Sequence, residues 1–190
     1  MNDESVVVSS LLNMKISSAK IAALTYAAVL ALVLVWVGGA VFVPVVLNGS
    51  HDSESSLVAS LLHYAYGRIC HQMPDRSFHI AGEPLAVCAR CLGIYAGYIV
   101  GLILYPLARS LSRADAPPRS WLIPAIAPVA IDFAGGYIGL FENTLASRSI
   151  TGLIAGAAGA FYTLPGLISL TAKRPSNSGA AATLRSEPIA

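Results

Sequence analysis

Charge is scarce in this chain. Of its 190 residues only 12% are Asp, Glu, Lys or Arg, and the net charge is +2. So small an excess, with no basic stripe, leaves no electrostatic footprint for a nucleic-acid partner. Cysteine is scarcer still: there are three, an odd number that cannot form a closed disulfide framework and leaves one thiol over. A phosphate loop, a nucleophile elbow and an HExxH metal pair are all missing, which removes the reaction classes those patterns serve. No histidine follows Cys91, so covalent c-type haem attachment is excluded as well.

What is present in quantity is apolar. Hydrophobic residues make up 55% of the chain and the mean hydropathy is +0.66, values that belong to a membrane protein with room for a single domain. Residues 21–47 carry no charge and exceed, as a helix, the roughly 30 Å hydrocarbon core. A signal peptide would need an apolar core of only about 7–15 residues, so this run is read as an uncleaved anchor. Further spans are expected near 89–108, 121–140 and 150–170, the third interrupted by Pro124, Pro128 and the lone charge of Asp132. Gly93, Gly97 and Gly101 in the second span, and Gly152, Gly156 and Gly159 in the fourth, read as flat surfaces for close helix packing. The expected fold is all-α: an integral membrane bundle of four transmembrane helices, plus one short amphipathic helix carrying Leu57, Leu61 and Tyr64. That helix should begin at an N-cap at Asp52 or Ser53. The single membrane domain covers 21–171, between an N-terminal segment at 1–20 and a Ser/Pro/Ala-rich tail at 172–190 expected to be disordered.

Lys and Arg in the short flanks set the orientation. Lys15 and Lys20 precede the first span; Arg109, Arg113 and Arg119 separate the second and third; Lys173, Arg174 and Arg185 follow the fourth. By the positive-inside rule both termini are cytoplasmic in a multi-pass protein of the cell membrane, and the loop at 57–91 faces out.

That loop holds the chemistry. All three cysteines lie in it, as Cys70-His71 and Cys88-Ala89-Arg90-Cys91. Two thiols three residues apart at a helix start can hold one ion, and Cys70 with His71 would complete a tetrahedral site, zinc first among the candidates. A redox pair, a disulfide from Cys70 and plain buried thiols are the competing readings. His79 is a second-choice ligand, while His51 and His63 read as solvent or interface residues. Arg76 and Arg90 flank the thiols and could clamp an anion, or else snorkel or pair with Asp75 or Glu83. A carboxylate in the third span should face the bundle interior, with Arg90 or Arg148 as its partner.

At Cys70-His71-Gln72, Arg76-Ser77-Phe78 and Cys88-Ala89-Arg90-Cys91-Leu92-Gly93, the chain resembles a family of small prokaryotic predicted membrane proteins classed as a domain of unknown function. The resemblance continues through Pro128 to Asp132 and through Asn143 to the Ser147–Gly152 stretch, covering about 57–170. It implies that Cys70, His71, Arg76, Cys88, Arg90, Cys91, Asp132, Asn143 and Arg148 form one site. Asp132 is followed here by Phe133, where the pattern has a Gly and then a nearby polar residue.

The combined expectation is an outward-facing Cys/His metal site beside arginines and one intramembrane carboxylate, Asp132. This suits metal-dependent hydrolysis or transfer on a lipid or other hydrophobic anionic substrate at the outer leaflet, with Asp132, Arg76, Arg90 and Arg148 as the reacting or clamping groups. The rivals are a four-span thiol–disulfide oxidoreductase linked to a quinone, which usually needs a second cysteine pair, and a non-enzymatic metal sensor or carrier.

Overall fold

The computed structural model describes residues 3–49, 53–111 and 115–172. The tail beyond Ala172 and the N-cap expected at Asp52 lie outside these. Five helices carry the fold: α1 (Asp3–Gly49), α2 (Ser53–Gly67), α3 (Ala89–Ala108), α4 (Leu122–Tyr137) and α5 (Leu145–Ala172). Between α2 and α3 a two-stranded hairpin pairs β1 (His79–Ile80) with β2 (Glu83–Pro84). Its two turn residues, Ala81 and Gly82, both have positive φ (51° and 92°), the backbone twist that joins antiparallel strands through a two-residue loop.

Among the described residues three segments are long and apolar enough to cross a membrane: Ala19–Leu47, Ala89–Ala108 and Leu145–Thr171. The expected third span is shorter. Its helix, α4, has 16 residues, about 24 Å at 1.5 Å per residue. The reason is Gly139, whose φ of +74° ends the helix as Leu140 N–H turns back to Gly135 O at 2.9 Å. The fourth expected span starts earlier than its apolar run. Thr144 accepts the Ser147 N–H on its hydroxyl at 3.0 Å, an N-cap that brings Arg148 into the first turn of α5.

Tertiary bonds give the helix directions. Tyr26 of α1 donates to Leu102 O of α3 at 3.1 Å, while further along α1 Ala40 O accepts Ala86 N–H, just before α3, at 3.4 Å. So α1 runs opposite to α3. Both acceptors are carbonyls freed by proline: Pro44 and Pro106 have no N–H to return to Ala40 and Leu102, four residues back. Each proline costs a helical bond, and a neighbouring element takes up the acceptor it leaves.

Parallel helices α3 and α5 form the closest pair. A Cβ on Gly97 would strike the Leu153 carbonyl, one on Gly93 that of Ser149, and one on Gly101 that of Ala157; on the other side Gly152 meets Arg90 O and Gly156 meets Ile94 O. Backbone-to-backbone contact of this kind is how small residues replace the missing hydrophobic drive between helices in lipid. Gly159 stands outside the seam, with only a ring carbon of Tyr98 near it. From Pro118, whose carbonyl accepts Tyr162 OH at 2.7 Å, α4 runs back to Asp132 beside Arg90. Helix α4 therefore lies alongside α3 and α5, with the hairpin and α2 at the end where α3 begins.

Helix α2, expected at the interface or over the bundle, packs on α1 through a face other than the Leu57, Leu61 and Tyr64 stripe. Ala59 and Tyr66 are buried and Leu62 half-buried, whereas Leu57, Leu61 and Tyr64 stay exposed. Tyr66 is the anchor: its ring lies 4.5 Å from Trp36 and its hydroxyl donates to Trp36 O at 2.5 Å.

Candidate functional site

The sulfur atoms of Cys70, Cys88 and Cys91 all lie within 4.8 Å of one another, and none is in a disulfide. Cys88 caps α3 and Cys91 sits in its first turn, a three-residue spacing that puts both thiols on one side. Cys70 arrives from the end of α2, buried to 5% exposure, and its sulfur accepts the Cys88 N–H at 3.1 Å. Ala40, Val43, Tyr66, Ala86 and Val87 wall the cluster, with Trp36 and Tyr95 packed against it. Hydrogen bonds from the Cys70 and Cys91 thiols favour the thiolate at Cys88, while a bound cation would be needed to hold all three sulfurs deprotonated together. Three thiolates this close can share one ion through bonds of about 2.3 Å.

His71 is not part of this group. It is exposed, and the ligand atoms gathered here are the three sulfurs alone among the described residues. Cys70 turns into the core, and the chain then leaves it. His79 likewise stays exposed, on β1.

Gln72 was part of the motif without a role, and the structure supplies one. Its amide donates to His63 O at 2.8 Å and to Ala86 O at 2.9 Å, stapling α2 to the segment before α3. These bonds offset the strain of its left-handed backbone, φ 49°. Ser77, buried to 1% exposure, caps the 3-10 turn at Pro74–Arg76 through a 2.9 Å bond to Met73 O. Neither residue has a periodicity that would have revealed it.

The arginines assemble on the other side of the same helix start. Arg90 is about 100° from Cys91 and 200° from Cys88 around α3, and it pairs with Asp132 of α4. Its guanidinium also lies over the Phe133 ring at 5.6 Å. Asp132 is 5% exposed, and Asn143 donates to its carbonyl at 2.5 Å and its carboxylate at 3.1 Å. Gly136 makes room for that amide, since a Cβ there would collide with it. Arg76, Arg90 and Arg148 then line one cavity of about 250 Å³ with Phe133, Tyr137 and Asn143. Arg76 also faces Asp75 at 3.5 Å, both side chains largely in solvent. Of the nine residues expected to form one site, eight fall into two groups, three sulfurs toward α1 and α2 and three arginines, Asp132 and Asn143 toward α4 and α5, while His71 joins neither.

Long apolar helices with polar groups gathered at one end define a helical membrane protein. The chain belongs to the family described as predicted membrane protein (DUF2085), whose model matches residues 70–162. That match begins at Cys70, so it takes in the sulfurs and the arginine pocket and leaves out α1 and α2. An uncharacterized protein of Methanocaldococcus jannaschii is 44% identical over 117 residues, 62% of this chain and 75% of the relative. One of Methanothermobacter thermautotrophicus is 33% identical over 91 residues, 46% of this chain and 78% of the relative. No solved structure matches the chain.

Proposed function

We propose that this is a four-span protein of the cell membrane that binds the anionic group of a lipid or other hydrophobic substrate at the arginine pocket. In this reading both termini are cytoplasmic and the pocket opens at the outer face. The observation that carries the proposal is the convergence of Arg76, Arg90 and Arg148, from three separate elements, on one cavity. Three guanidinium groups are costly to bring together without an anion to share them, and their planar forks suit oxygen anions. The fourth span of this reading is α4, supported by the path from Pro118 beside Tyr162 to Asp132 beside Arg90, which follows most of α3. Its buried carboxylate also belongs inside a bundle.

The sulfur cluster is proposed to hold one zinc ion through Cys70, Cys88 and Cys91. Bound there, zinc would cross-link α2 to the start of α3 and stabilise the folded loop. The thiols and Arg90 leave the start of α3 in different directions, so the zinc reading and the anion-pocket reading are proposed as separate sites. The test is lipid retention. Protein purified in mild detergent from a mixed-lipid membrane should keep anionic over zwitterionic lipid, and Arg148→Gln should abolish the preference. Equal retention of both lipid classes by the unaltered protein would refute the pocket as an anion site.

A further inference from the structure

The charge and surroundings of the pocket narrow its ligand further. Three guanidinium groups meet one buried carboxylate there, Asp132; Arg76 also has Asp75 at 3.5 Å in an exposed pair, so the net positive charge lies between one and two. Asp75 and Glu142 line an adjoining outer cavity, but both are exposed, where water and salt screen them. The first turns of α3 and α5 supply Arg90 and Arg148, so two positive helix ends point toward the same space and add to the attraction for an anion. Arg90 keeps its Nε–H buried without a partner among the described residues, one donor still to be satisfied.

A phosphodiester carries one negative charge. A phosphomonoester carries about 1.5 to 2 near neutral pH and presents three terminal oxygens. Resting on the anion-pocket reading above, we infer that the ligand is a phosphomonoester in its dianionic form. The net positive charge favours a dianion over a monoanion, and three oxygens give each arginine an acceptor. The cavity also has an apolar wall: Phe133 and Tyr137 line it, and both are largely exposed on one side of α4. A ligand whose phosphate lies among the arginines can therefore run its hydrocarbon down that face into the bilayer.

The experiment is calorimetric titration of the detergent-solubilised full chain with short-chain phosphatidic acid, short-chain phosphatidylglycerol and inorganic phosphate. The monoester lipid should bind at least about tenfold more tightly than the diester, the difference expected for one more charge-assisted hydrogen bond. Arg76→Gln should weaken it by about tenfold; Arg76 is exposed at the pocket rim, so this variant keeps its fold even if changes at Arg90 do not. Inorganic phosphate binding as tightly as phosphatidic acid would support the dianion and assign it to a free anion; weaker binding would assign it to a lipid. Equal, Arg76-dependent affinity for monoester and diester would overturn the dianion inference while leaving the anion pocket standing. Arg76-independent binding of every probe would sink both.

Discussion

Arg90, in the first turn of α3, pairs with Asp132, buried in α4. Among the described residues this is the one ion pair that joins two helices. Side-chain exposures of 14% and 6% place it where leaving one charge unpaired costs far more than at a surface. It positions one arginine of the pocket and ties α4 to α3, two helices that otherwise meet mainly through α5.

Asp132→Asn should therefore destabilise the protein by roughly 3–5 kcal/mol, because it leaves the Arg90 charge buried without its partner. Adding Arg90→Gln should recover part of that loss, a coupling visible in a double-mutant cycle of thermal melts in detergent. Additive losses would show that the two side chains do not interact.

For the sulfur cluster, Cys70→Ser, Cys88→Ser and Cys91→Ser should each lower bound zinc and thermal stability together. His71→Ala and His79→Ala should change neither, since both side chains are exposed and apart from the sulfurs. Metal content and melting temperature, measured with and without a reductant, check this. Metal-free protein with two thiols that react only after reduction would instead support a redox pair.

The α3–α5 seam predicts a contrast between glycines. Gly97→Ala puts a methyl into the Leu153 backbone and should cost about 1–3 kcal/mol, as overpacking does. Gly38→Ala meets nothing within 4 Å and should be neutral or stabilising by up to about 1 kcal/mol, the helix-propensity gain. Thermal melts of the two variants side by side would expose any error in the parallel register.

Topology can be read from alkaline phosphatase fusions. On the proposed orientation, in which the Lys and Arg balance places the cysteine loop outside, a fusion after Gly82 should be active and one after Ser112 silent. The reverse pattern would turn the arginine pocket toward the cytoplasm.

Much of this protein follows from its sequence alone. Uncharged runs of about 18 residues or more have no stable form in lipid except a helix, so the three long helices are legible from composition. The three-residue spacing of Cys88 and Cys91 puts both thiols on one side of a helix start, and the cost of a charge in lipid puts Asp132 inside. The family resemblance, carried by short motifs, agrees with the family match over residues 70–162.

Tertiary structure decided the rest. Whether Cys70 or His71 reaches the sulfurs depends on how the chain leaves α2, and Gln72, with its left-handed backbone and two amide bonds, fixes that path. The split of one expected site into two follows from the rotation of Arg90 away from the cysteines around α3, which matters only once α1 and α2 occupy one side and α4 and α5 the other. The exposed Leu57–Leu61–Tyr64 stripe has the same origin: a helical period shows that residues share a face, while the neighbour available to cover that face is set by contacts distant in the chain. Local sequence specifies elements because backbone hydrogen bonds and burial act over a few residues; the arginine pocket is assembled from Arg76, Arg90 and Arg148, which only the packed bundle brings together.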